Sequence, residues 1–176
     1  MIAYQAQAAL DSDMETSRSG APMAHRRPWY CVTIGSGAIL ATALGFEHLG
    51  GLFPCTLCVW QRWAHVIAIA LAAIYYFRPT RLIAIMGGLA MLGSAAIAGF
   101  HAGVEQGYWE GLAACQGGSL TGLTGAELLD MNAPTRSARC DEVAWSFLGL
   151  SMAAWNGLLS LLLAGMWLRM ALPARS

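Results

Sequence analysis

Apolar residues along this chain gather into four long runs separated by short polar or glycine-rich segments. The runs cover residues 29–48, 58–77, 82–102 and about 144–168. Each reaches the roughly 20 residues that a helix needs to cross a hydrocarbon layer about 30 Å thick. Lipid offers backbone N–H and C=O groups no partners, so such runs must close their own hydrogen bonds as helices. The pattern predicts an all-α membrane protein, a four-transmembrane-helix bundle running up, down, up, down. Residues 1–28 read as a mobile cytoplasmic tail, 29–170 as the transmembrane domain and 171–176 as a second cytoplasmic tail. A cleaved leader over residues 23–46 is the rival reading of the first run. It fails because the run is long enough to span and no small-residue cleavage site follows it.

Composition agrees with the pattern. The chain of 176 residues is 57% hydrophobic and 11% charged, against about 25% charged in a soluble domain. The excess apolar surface is expected to meet a lipid bilayer. Net charge is zero, which gives no electrostatic reason to expect a nucleic-acid partner.

The placement of charge sets an orientation. All ten basic residues are arginine, and seven of them (Arg18, Arg26, Arg27, Arg78, Arg81, Arg169 and Arg175) fall on one side of the predicted bundle. The opposite side holds a short segment, Glu47 to Pro54, and a long loop over about 103–143. That loop is acidic, with Glu105, Glu110, Glu127, Asp130, Asp141 and Glu142. The positive-inside rule then makes the arginine side and both termini cytoplasmic. Within the long loop, Thr124 and Glu127 have capping-box spacing ahead of Leu128, Leu129 and Met131, with Pro134 beyond. This predicts a short helix lying on the membrane surface, the alternative being a solvated loop.

The topology sorts the five cysteines. Cys55 and Cys58 lie in the first outer segment, Cys115 and Cys140 in the second, and Cys31 alone at the cytoplasmic end of the first run. Four thiols therefore share the oxidising compartment. Two inert disulfide staples, a four-thiolate zinc site and a redox relay all fit that partition. Zinc is disfavoured because Cys115 and Cys140 are 25 residues apart, unlike two close-spaced knuckles, and no metal is expected. Arg62 favours the relay. If the second helix begins near Cys58, residues 58 and 62 share a face at i, i+4, and a permanent cation there favours the Cys58 thiolate.

Three stretches, "PCTLCVWQR", "FHAGVEQGYWEGLAAC" and "CDEVAWSFLGLSMAAWN", together with the order of the four cysteines, resemble the DsbB family of bacterial inner-membrane thiol:quinone oxidoreductases. The resemblance spans about residues 29–170. It implies Cys55, Cys58, Cys115 and Cys140 as catalytic residues and a DsbA-like periplasmic thiol oxidase as partner. Cys115 would take the donor into a mixed disulfide, and the loop pair Cys115–Cys140 would pass electrons to Cys55–Cys58. Cys58 would then deliver them to a quinone from the membrane pool (ubiquinone, or menaquinone as the other choice), with Arg62 holding a quinone oxygen. The inner membrane is the implied location, with the redox loops periplasmic. His101 is a candidate to hydrogen-bond that quinone or supply a proton, against the plainer reading of an interfacial histidine. Gln61 stands where some members carry an acidic residue.

The remaining polar residues read more plainly. His65 is expected to be a satisfied core histidine, Asn156 an interhelical hydrogen-bonding residue, and Cys31 an apolar filler. Glu47, His48, Glu105 and Gln106 are expected to be solvated end residues, the alternative being a polar collar at the outer surface. A haem-binding anchor using His48, His65 or His101 and a structural or transport bundle with inert disulfides are the alternatives from other classes.

Overall fold

The computed structural model describes residues 29–112 and 139–172. Cys115, the predicted surface helix, the N-terminal tail and residues 173–176 lie outside these residues; Ala171, assigned to the second tail, ends the last helix. Among the described residues there are four helices: α1 Trp29–His48, α2 Thr56–Phe77, α3 Arg81–Glu105 and α4 Met152–Ala171. By length and composition α1, α2 and α3 can each cross a membrane. α4 follows a two-residue antiparallel hairpin, β1 Ser146–Phe147 paired with β2 Leu150–Ser151.

The hairpin moves the start of the fourth helix. An apolar run alone gives no reason to break at residue 150, so a helix from about 144 is expected; the observed one begins at Met152. Leu148 and Gly149 both have positive φ, 52° and 78°, the left-handed geometry that closes a two-residue hairpin turn. Ser151 then caps the helix, its hydroxyl accepting from the Ala154 N–H at 3.2 Å. Trp155 Nε1 donates to the Phe147 carbonyl at 3.0 Å, tying the hairpin to the first turn of α4.

The bundle turns its small and polar residues inward. On α2 the buried positions are Leu57, Gln61, His65, Ala68, Ala72 and Tyr75, one stripe at helical spacing. Trp60, Trp63, Ile67, Ile74 and Phe77 face outward, as lipid contact requires. On α3 the inward stripe includes Ala84, Gly87, Met91, Ser94, Ala98 and His101. Small residues let helices approach closely where lipid removes the usual hydrophobic drive. Gly87 is the tightest case along the α3–α4 interface: a Cβ there would lie 2.4 Å from the indole of Trp167, which is fully buried. At the same end, Trp29 Nε1 donates to the Ala72 carbonyl at 2.6 Å and ties α1 to α2.

Candidate functional site

The site is built at the other end of the bundle, around the start of α2. Thr56 opens that helix and Cys55 caps it, the Cys55 sulfur accepting from the Cys58 N–H at 3.2 Å. One helical turn brings the second thiol round, so the sulfurs of Cys55 and Cys58 lie 2.8 Å apart as free thiols, with Cys55 donating. The hydrogen bond to Cys58 and burial both push the Cys55 thiol well above its ordinary range. Cys55 is thus the proton-bearing partner of the pair.

Cys140 comes to the same point from the far loop. It is fully buried and disulfide-bonded, and it packs in one cluster with Cys55, Leu57 and Val104. The Cys140 sulfur, the Cys55 sulfur and a His101 ring nitrogen all lie within 4.8 Å of one another. The His101 ring donates to the Cys140 backbone carbonyl, and its Nε2 lies 3.6 Å from the Cys55 sulfur. Of the four predicted cysteines, the structure therefore brings three together.

Arg62 is not the uncompensated cation that its place in an apolar run suggests. Its Nη1 is ion-paired with the Glu47 carboxylate, and its Nη2 donates to the Ala43 carbonyl at 3.2 Å. Glu47 is accordingly no free end residue. Glu105 departs from expectation as well: its side chain is only 4% exposed, lies 3.8 Å from His101 Nε2, and accepts from the Ser151 hydroxyl. Both acids escaped sequence reasoning because a carboxylate near a helix end looks solvated until its neighbours from other helices are known.

Cys55, Cys58, Arg62 and His101 open onto one cavity of about 370 Å³. Ala38, Ile39, Phe46, Leu52, Trp155 and Leu159 supply apolar wall, while Gln61, His65, Glu105 and Asn156 add polar atoms. An apolar chamber with a few convergent polar groups suits a flat, weakly polar ring. Two of the three histidines named as possible haem ligands, His65 and His101, are joined through side-chain amides instead of facing each other across a gap. Gln61 Nε2 lies 3.2 Å from His101 Nδ1, Asn156 Nδ2 donates to Gln61 Oε1 at 2.6 Å, and Asn156 Oδ1 lies 3.0 Å from His65 Nε2. Cys31 is exposed and free, away from the other sulfurs.

Residues 25–170 match the family model "Disulfide bond formation protein DsbB". A disulfide bond formation protein B from Methylococcus capsulatus is 38% identical over 126 residues, covering 67% of this chain and 76% of that protein. One from a Polaromonas species is 33% identical over 137 residues, covering 74% and 81%. Disulfide bond formation protein B 2 of Pseudomonas aeruginosa is 35% identical over 146 residues, covering 77% and 83%. No solved structure matches the chain.

Proposed function

The chain belongs to the disulfide bond formation protein DsbB family, and from that membership we propose that it is a four-span inner-membrane thiol oxidase. It reoxidises a soluble periplasmic dithiol protein of the DsbA kind and sends the electrons to a membrane quinone. The observation that carries the proposal is the meeting of the Cys55 and Cys140 sulfurs, with His101, within 4.8 Å.

The exchange balances through these residues. A donor thiolate attacks the Cys115 sulfur, forms a mixed disulfide and releases Cys140 as a thiolate. Cys140 then attacks the sulfur of Cys55 in an oxidised Cys55–Cys58 pair, and Cys58 leaves as a thiolate. The donor's second thiol resolves the mixed disulfide and leaves oxidised, and Cys115 recloses on Cys140 to free Cys55. His101, with Nε2 beside the Cys55 sulfur, steadies sulfur charge as it forms. Two protons and two electrons now sit on Cys55 and Cys58.

The cavity fits a quinone ring: apolar walls, with Arg62 and Cys58 among its lining residues. A quinone bound there supplies the two-electron, two-proton acceptor that closing the Cys55–Cys58 bond requires. Arg62, fixed by Glu47 and the Ala43 carbonyl, presents a permanent cation to a ring oxygen. The acidic outer loop and the arginine-rich opposite side support a periplasmic location for the cysteines.

The test is anaerobic mixing of the purified protein with a reduced periplasmic dithiol oxidase and a short-chain quinone. Quinone absorbance should fall in proportion to donor disulfide formed. No fall with quinone present, or equal donor oxidation without it, would refute the assignment.

A further inference from the structure

His65 is 1% exposed and lies seven residues past Cys58 on α2, about two helical turns deeper in the bundle. Its side chain lines the cavity. Its Nδ1 is buried and has no hydrogen-bond partner among the described residues. Leaving a buried polar atom without a partner is costly, so an unpartnered nitrogen on a side chain that lines the cavity asks for a ligand atom.

The direction of the hydrogen-bond chain decides which kind of atom. At its outer end the Gln61 amide nitrogen, which can only donate, lies 3.2 Å from His101 Nδ1, so that Nδ1 accepts and the His101 proton is on Nε2. Gln61 then turns its amide N–H₂ to His101 and its carbonyl to Asn156. Asn156 is left presenting Oδ1 to His65 Nε2, and a carbonyl oxygen can only accept. His65 therefore carries its proton on Nε2, and Nδ1 is a lone pair. Ser160, 3.4 Å from Nε2 and donating to Ser94 at 3.1 Å, leaves that polarity unchanged.

We propose that His65 Nδ1 accepts a hydrogen bond from a hydroxyl of a reduced ring, a quinol, so that the deep part of the cavity favours the reduced over the oxidised acceptor. A carbonyl oxygen of the oxidised ring meets a lone pair at the same place and gains nothing. The inference rests on the reading of the cavity as a quinone site and adds to it a residue that discriminates redox state. Tighter holding of the reduced ring makes the bound acceptor a stronger oxidant of Cys55 and Cys58.

Two substitutions separate ligand contact from bundle support. His65→Gln keeps a polar group near the Nε2 position, in reach of Asn156, and removes the free nitrogen. His65→Asn keeps a polar group near the Nδ1 position and gives up the reach to Asn156. Binding of a short-chain ubiquinone to oxidised protein, and of its quinol to reduced protein, is read by quenching of tryptophan fluorescence; no electrons move in either mixture. His65→Gln should weaken quinol binding about tenfold while leaving quinone binding within twofold. His65→Asn should recover most of that loss. Equal weakening of both ring forms, or loss of quinol binding in the Asn variant with none in the Gln variant, would overturn the proposal and leave His65 a structural residue. If wild-type protein binds neither ring, the quinone reading fails with it; if it binds both equally and His65→Gln changes nothing, only the role of His65 fails.

Discussion

Glu47 on α1 neutralises Arg62 on α2, fifteen residues later in the chain, and Arg62 lines the cavity that also receives Cys58. The carboxylate removes most of the cost of a cation in an apolar setting and holds the guanidinium in one place. Under the proposed function, Arg62 would meet a ring oxygen without first being ordered.

Arg62→Ala should slow quinone reduction by about 10–100-fold, the range expected for losing one hydrogen bond from a charged group. Formation of the mixed disulfide with the soluble donor should be unchanged, as seen by stopped-flow thiol trapping. Glu47→Gln should cost less than Arg62→Ala, because the cation remains. In a double-mutant cycle the two losses should not add, since residues in one ion pair share their energy. Full additivity would show that Glu47 does not act through Arg62.

Cys140→Ser should cut the link between loop and membrane pair. The variant should still reduce quinone when a small dithiol is supplied, because Cys55 and Cys58 are intact, yet fail to turn over with the protein donor. It should form no mixed disulfide with the reduced donor on non-reducing gels, because Cys115 no longer carries a disulfide for the donor thiolate to attack. Turnover with the protein donor at the wild-type rate would mean that electrons bypass Cys140.

In the reduced protein the Cys55 thiol is raised by its hydrogen bond to Cys58 and by burial. A raised thiol is more protonated, and so less nucleophilic, at every pH below its own titration. Brief alkylation at pH 7–8 should therefore mark Cys58 before Cys55, with Cys55 labelling appearing only in strongly alkaline buffer. Mass-spectrometric mapping that finds Cys55 modified first would reverse the order of the pair.

The sequence made three of the four helices legible to within a few residues, because lipid forces helix wherever an apolar run is long enough. It also marked the cysteines and Arg62, whose chemistry is tied to residue type and spacing. The start of α4 was not legible, because Leu148 and Gly149 break the run through backbone conformation and not through polarity. Nor was the role of Asn156 as the link between Gln61 and His65 visible. A mid-helix asparagine predicts a partner, but which one depends on how the helices are rotated about their axes.

Gly87→Ala tests that rotation directly. The new methyl would press into the fully buried Trp167 indole, a wide rigid ring with no room to retreat, and should cost about 1–3 kcal/mol as overpacking does. Thermal unfolding in detergent should show a clear drop. Gly93→Ala, with open space around the added carbon, should be neutral or slightly stabilising. Similar behaviour of the two would mean that α3 and α4 do not pack as described.

Cys31→Ser should leave turnover within twofold of wild type, because Cys31 is free and exposed at the end of the bundle away from the other sulfurs. A loss of donor oxidation would give it a redox role that its position does not suggest.

The amide chain from His101 to His65 has a consequence for how this bundle holds its shape. Apolar side chains in a hydrocarbon solvent barely distinguish one angular setting of a helix from the next. Gln61, Asn156, His101 and Ser94 belong to three helices, and their bonds are directional. Turning any one helix by a single residue, about 100°, would break several of them together. The same atoms that set proton positions in the cavity thus act as an index mark fixing the angular phase of α2, α3 and α4.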